Sequence, residues 1–146
     1  MKKRKIIIYI SLVIAVILSI AAIYAYKEYN RKQVDVTDVT PNYTISYATI
    51  IGEFTSNEKI ASAKYLDKVI ELEAPIKSID KDEKGYYTLV LGDSLSTSSI
   101  RCSMDSAHNT DAAKFIIGNI IKAKGICTGF NADEMLGSDV ILNRCT

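Results

Sequence analysis

Three cysteines and one histidine carry most of the chemistry open to this sequence. Cys102, Cys127 and Cys145 each fall on an expected strand. Outside the cytoplasm, where the N-terminal segment places them, thiols on neighbouring strands tend to pair. If the last two stretches form a hairpin centred near Leu136, Cys127 and Cys145 lie equidistant from its centre and face each other. Cross-strand opposition sets Cβ atoms about 4.5–5.5 Å apart, close to the disulfide range. A Cys127–Cys145 bond is therefore expected, with Cys102 competing for Cys145 and three buried free thiols as the alternative. No CxxC or CxH spacing supports a zinc site. His108 sits among Asp105, Ser106 and Asp111. A catalytic triad needs a fixed nucleophile, an oriented imidazole and an oxyanion site. The stretch reads more simply as a polar loop, and no catalytic residue, cofactor or metal site is expected.

Tyr86, Tyr87 and Arg101 form the candidate ligand face. Alternation puts Tyr87 with Leu89 and Leu91 on one face and Tyr86 with Thr88 and Val90 on the other. One tyrosine is then core and the other surface. A stacking platform for single strands wants aromatics beside a basic groove, but Asp80, Asp82, Glu83 and Asp93 offset Lys77, Lys81 and Lys84. The net charge of +1 hides an asymmetry: seven of the 18 basic residues precede position 33. From Pro41 onward, 11 basic residues stand against 14 acidic ones. Nucleic acid is disfavoured as a partner, because neutralised phosphates supply most of such affinity.

Ile6 to Tyr26 is a run of 21 uncharged residues. As a helix rising about 1.5 Å per residue, it is long enough for a bilayer's hydrocarbon core. Lys2, Lys3, Arg4 and Lys5 precede it, which keeps the N-terminus in the cytoplasm and sends the rest outside. The competing reading is a signal peptide cleaved near Ser19-Ile20-Ala21, although the apolar run continues beyond that point. The expected divisions are a basic flank (1–5), a transmembrane helix (6–26), an extended juxtamembrane linker (27–42) and a domain (43–146).

Within that domain, Tyr43 to Tyr65 has helical spacing broken near Gly52 or Ser56-Asn57, with Asn57 as a cap. Strands are expected at Val69–Ile79, Tyr86–Leu91, Ser99–Ser103, Ile120–Phe130 and Asp139–Cys145. Pro75 requires a sheet edge or a bulge. Thr110 to Ile117 reads as a helix stopped by Gly118. The expected fold is mostly β. Its β-β-β-α-β-β order matches a five-stranded OB-fold barrel, preceded by a short helical lead-in and the transmembrane helix. A small α+β sandwich has a compatible composition.

The segments Lys64–Glu71, Ile100–Asp105, Lys124–Phe130 and Asp139–Cys145 resemble the tRNA_anti-like family of bacterial OB-fold domains. The resemblance runs from about Phe54 to Thr146. It implies the barrel independently of the strand count, and a bacterial domain of a kind often exported or membrane-attached; with the N-terminal anchor, the expected location is the bacterial inner membrane. It carries over no functional residues. The expectation is a non-enzymatic, membrane-anchored extracytoplasmic binding module whose partner is an envelope protein or glycan. Single-stranded nucleic acid is the alternative ligand.

Overall fold

The computed structural model describes residues 14, 16–26, 35–133 and 137–146. It divides into two compact units, Met1–Val34 and Asp35–Thr146. In the first, residues 14 and 16–26 are helical with exposed side chains. The remainder of the expected span Ile6–Tyr26 lies outside the described residues. Among the described residues, no helix is long and apolar enough to cross a membrane.

The second unit begins earlier than expected, because part of the supposed linker is folded. Asp35 accepts from the Thr37 amide (2.9 Å) and starts a 3-10 turn, Val36–Asp38, whose Val36 is buried. Strand β1, Tyr43–Thr44, then runs parallel to the first long strand, at Ile70 and Glu71. An extended linker over 27–42 is thus corrected from Asp35 onward. The reason is tertiary: Lys124 donates from Nζ to the carbonyls of Thr37 (2.7 Å) and Val39 (3.0 Å).

Helices α1 (Tyr47–Ser56) and α2 (Glu58–Tyr65) form where side chains satisfy their first amides. The Ser46 hydroxyl accepts from Thr49 N, and Asn57 Oδ1 accepts from Ile60 N, both at 3.1 Å. The break is at Asn57, and Gly52 stays inside α1. Both helices bury aromatics on the barrel: Phe54 stacks on Phe130 (4.9 Å between centroids), and Tyr65 meets Tyr43 edge-on at 5.1 Å.

Five strands close the barrel: β2 (Val69–Lys81), β3 (Tyr87–Leu91), β4 (Ser99–Met104), β5 (Ile120–Asn131) and β6 (Asp139–Cys145). Their order is β2-β3-β4-β6-β5, and β5 pairs back to β2. Only the β4–β6 pairing within the barrel is parallel; the others are antiparallel. This is the Greek-key closure of an OB-fold. Strand β2 serves two neighbours because it bends. Pro75 lies opposite Ile120, and the register with β3 shifts between Ile76 and Ser78. A proline at the bend costs the ladder no donor it needs.

One registered ring, Ile79–Leu89–Cys102–Leu142–Cys127, points inward around the barrel. Leu89, Cys102, Leu142 and Cys127 are fully buried there. Each buried leucine contributes about 1.5–3 kcal/mol over an exposed one. The expected helix at Thr110–Ile117 is only a 3-10 turn, Asp111–Lys114, with no side-chain cap from Thr110. Without a capping bond, and with Gly118 at φ +90°, the segment has neither the start nor the length of an α-helix.

Candidate ligand face

The neighbouring ring, Ser78–Val90–Arg101–Ile141, points away from the barrel interior on β2, β3, β4 and β6, with Val90 covered. Asp80, Thr88 and Ser103 continue this outer face one step along. Arg101 stands at its centre, between Asp80 Oδ2 (3.2 Å) and Asp139 Oδ2 (3.7 Å). Ser78 donates to the other oxygen of Asp80 (3.2 Å), and the Ser99 hydroxyl donates to Asp139. The guanidinium is therefore oriented by two carboxylates, each held by a serine. The surface around it offers paired hydrogen-bonding groups rather than net positive charge.

Local chemistry fixes the turn beside this face. Asp82 Oδ1 accepts from the amides of Lys84 (2.9 Å) and Tyr86 (2.8 Å), and Gly85 takes φ +88°. Tyr86 leaves this turn half exposed. Tyr87 turns inward with Leu89 and packs on the core, its ring under Lys81 Nζ at 5.0 Å. The structure thus places Arg101 on the outer face and Tyr86 at its rim, while Tyr87 is on the opposite side of the strand. The rings of Phe54, Phe130, Tyr43 and Tyr65 are taken up in packing the lead-in.

The cysteines are not brought together as expected. Register puts Leu142, not Cys145, opposite Cys127, a partner three residues from the one expected. Cys145 pairs with Met104 across the parallel strand, and its thiol donates to the Leu142 carbonyl (3.6 Å). All three thiols are free and buried. Burial pushes the Cys127 thiol up to about 11, and burial with the Cys102 contact raises Cys145 well above a usual thiol. Thiols held protonated this way are poor nucleophiles.

His108 has a structural partner that sequence proximity did not reveal. Its Nε2 lies 3.1 Å from Asp35 Oδ2 and 3.2 Å from Thr37 Oγ1, and Nδ1 lies 3.8 Å from Asp111. The Thr37 amide and hydroxyl, together with His108, hold Asp35 down at about 2. Ser106 instead meets Asp105, whose carboxyl is lowered by the Ala107 amide and by Arg144. The imidazole ties the folded end of the linker to the barrel, 73 residues away in sequence. No pattern near Asp35 announces this contact.

A separate cleft of about 480 Å³ opens between β1, the start of α1 and β2, lined by Thr44, Ser46, Tyr47, Glu71, Glu73 and Lys122. The Lys122–Glu71 ion pair (2.9 Å) crosses its edge. Among the described residues, no group of three or more acidic, histidine or cysteine side chains could hold a metal ion.

A comparison of the sequence with curated proteins finds no match. Among solved structures, a Klebsiella pneumoniae protein described as a "putative nucleic acid-binding lipoprotein" superposes with a TM-score of 0.56 at 18% identity. That match covers 70% of this chain and 90% of the other, and it is a likeness of fold. A "putative aspartyl-tRNA synthetase" of Leishmania major (TM-score 0.43) and the aspartyl-tRNA synthetase of Entamoeba histolytica (0.42) align at 12% identity. Those two cover 87% and 78% of this chain, which spans 25% and 22% of their lengths. The model of the tRNA_anti-like family matches residues 1–145, reaching well before the Phe54 at which the resemblance in sequence begins. With its closed five-stranded barrel and that match, the chain belongs to the tRNA_anti-like family of OB-fold domains.

Proposed function

We propose that this protein is a non-enzymatic binding module held at the outer surface of a bacterial inner membrane by residues 6–26, with the face around Arg101 as its ligand surface. The observation that carries the reading is the setting of Arg101. It is fixed between Asp80 and Asp139 on an outer barrel face that has hydroxyls beside it and no stacked aromatic ring. Such a face suits a polar, uncharged or weakly basic ligand, and an envelope protein or glycan fits that chemistry. The tether is supported by the helical residues 16–26, whose side chains are apolar or uncharged and exposed on every side. A helix apolar all round requires a cover of lipid or protein.

The second reading is single-stranded nucleic acid. It is favoured by the description of the Klebsiella protein and by the general use of OB barrels for such ligands. The paired charges of Arg101, the inward Tyr87 and the acidic balance of the domain weigh against it.

A photo-crosslinking residue at Ser103, in the full chain expressed in bacteria, tests the two. The expected result is capture of an envelope component that disappears with Arg101→Ala. Tight, salt-sensitive oligonucleotide binding that is also lost with Arg101→Ala would overturn the first reading in favour of the second.

A further inference from the structure

Turns are ordinarily built from glycine, proline, asparagine, aspartate and serine, because their tips face water. The turn leading into β5 breaks this habit. Asn119 N donates to Ile116 O (3.2 Å), and Gly118 supplies the positive φ (+90°) that such a turn needs at its third position. The remaining positions hold two isoleucines, Ile116 and Ile117, 64% and 61% exposed, and Ile120 just beyond them is 72% exposed. The turn is tied to β2, since Gly118 N donates to Ile76 O and Ile76 N donates to Asn119 O. Three large apolar side chains are therefore presented outward by an anchored backbone. Among the described residues, none of the three belongs to the hydrophobic core.

Their place in the fold indicates what covers them. The folded unit is entered at Asp35, which is bonded to His108, and His108 faces Asp111. Asp111–Lys114 is the 3-10 turn that runs directly into Phe115, Ile116 and Ile117. Ile120 lies on the same outward side of β5 as Lys124, which holds the Thr37 and Val39 carbonyls. The apolar turn thus opens the strand against which the start of the folded unit packs. Eight residues, 27–34, separate that run from Asp35. Fully extended, they reach at most about 28 Å. Lys114 and Lys122 flank the turn, but they are engaged by Asp111 (2.7 Å) and Glu71 (2.9 Å). The contact this surface offers is apolar first.

We propose that Ile116, Ile117 and Ile120 form a membrane-resting surface, inserting at the lipid headgroup boundary and fixing the orientation of the barrel over the bilayer. The proposal rests on the tether described above. Isoleucines at the interface gain from leaving water, while the lysine stems on either side can lie along the surface with their charged ends in water. The Arg101 face would then be held at a set angle to the membrane instead of swinging freely on the linker.

The chain has no tryptophan, so a single introduced one reports its own surroundings. Full-length Ile117→Trp and Ile120→Trp are reconstituted into phosphatidylethanolamine–phosphatidylglycerol vesicles containing brominated phosphatidylcholine. Tyr24→Trp in the apolar run reports the tether. Leu95→Trp, at the 92% exposed position of the β3–β4 loop, reports exposure alone. The expected result is a blue-shifted, bromine-quenched emission for Ile117→Trp and Ile120→Trp, with Leu95→Trp unquenched. Quenching of Tyr24→Trp with solvent-like emission at both isoleucine sites overturns this surface and leaves the tether standing. Absence of quenching at all sites overturns both, and equal quenching at Leu95→Trp overturns the orientation.

Discussion

Replacing Gly125 by alanine tests how the barrel interior is filled where β5 crosses β6. Gly125 points inward between Ala123 and Cys127 on β5. A Cβ there would lie 2.7 Å from Cys145 Sγ, 3.2 Å from Leu142 Cβ and 3.3 Å from Asn143 O. Cys145 is buried, and its thiol already donates to the Leu142 carbonyl (3.6 Å), so it has little room to retreat. Overpacking of this kind costs about 1–3 kcal/mol. Against it, alanine restricts the unfolded chain and returns about 0.4–1 kcal/mol. The net expectation is a loss of about 1–2 kcal/mol. Removing the thiol in Cys145→Ala costs about 1 kcal/mol on its own, as for other small core deletions. It also removes the closest contact, leaving only the two longer ones. Gly125→Ala should then be nearly neutral in the Cys145→Ala background, a coupling of about 1 kcal/mol or more. Urea denaturation of Asp35–Thr146, followed by far-ultraviolet circular dichroism, measures all four corners of the cycle. Strictly additive losses, or no loss in the single Gly125→Ala variant, would refute the packing argument.

Gly137→Ala should be more damaging, because Gly137 has φ +95° and its added Cβ would clash with the Thr97 carbonyl oxygen. Strain and a backbone clash together predict a loss of about 2–4 kcal/mol, read as a lowered urea midpoint; an unchanged midpoint would show that the two loops part freely. Acid should weaken the unit through its depressed carboxyls. Asp35 is held at about 2, and Glu53, Asp105 and Asp111 are also lowered. A group depressed in the folded state stabilises above its unfolded value and loses that contribution as pH falls through its folded value. Stability should therefore be level from pH 7 to about 5 and decline below about pH 4. Asp35→Asn, which keeps an acceptor for Thr37 N but does not titrate, should decline less between pH 4 and 2. An identical decline for both proteins would remove Asp35 from the account.

Much of the barrel was legible because its causes are local. Alternation marked all five strands, and β6 runs from Asp139 to Cys145 as expected. Asn57 was readable as a cap, since its side chain needs only the amide three residues on. Pro75 announced a bend because it lacks a donor. Tyr86 and Tyr87 were separable into surface and core by parity alone, and the structure sets them so.

Register and docking were decided elsewhere. Sequence places cysteines on strands, but a bulge between Cys127 and Gly129 sets which residues meet, and it brings Leu142 to Cys127. The segment after Asp35 alternates valine with polar residues, as a short edge strand could, but no strand partner lies near it in sequence. Its structure comes from Lys124 and His108, which become neighbours only when the barrel closes. Arg101 was visible as a charge on a strand, but its two carboxylate clamps come from β2 and β6, 21 residues before it and 38 after. Pattern along the chain thus determined the elements and their faces. Contacts between residues remote in sequence depend on loop closure and strand register, which only the tertiary structure decides.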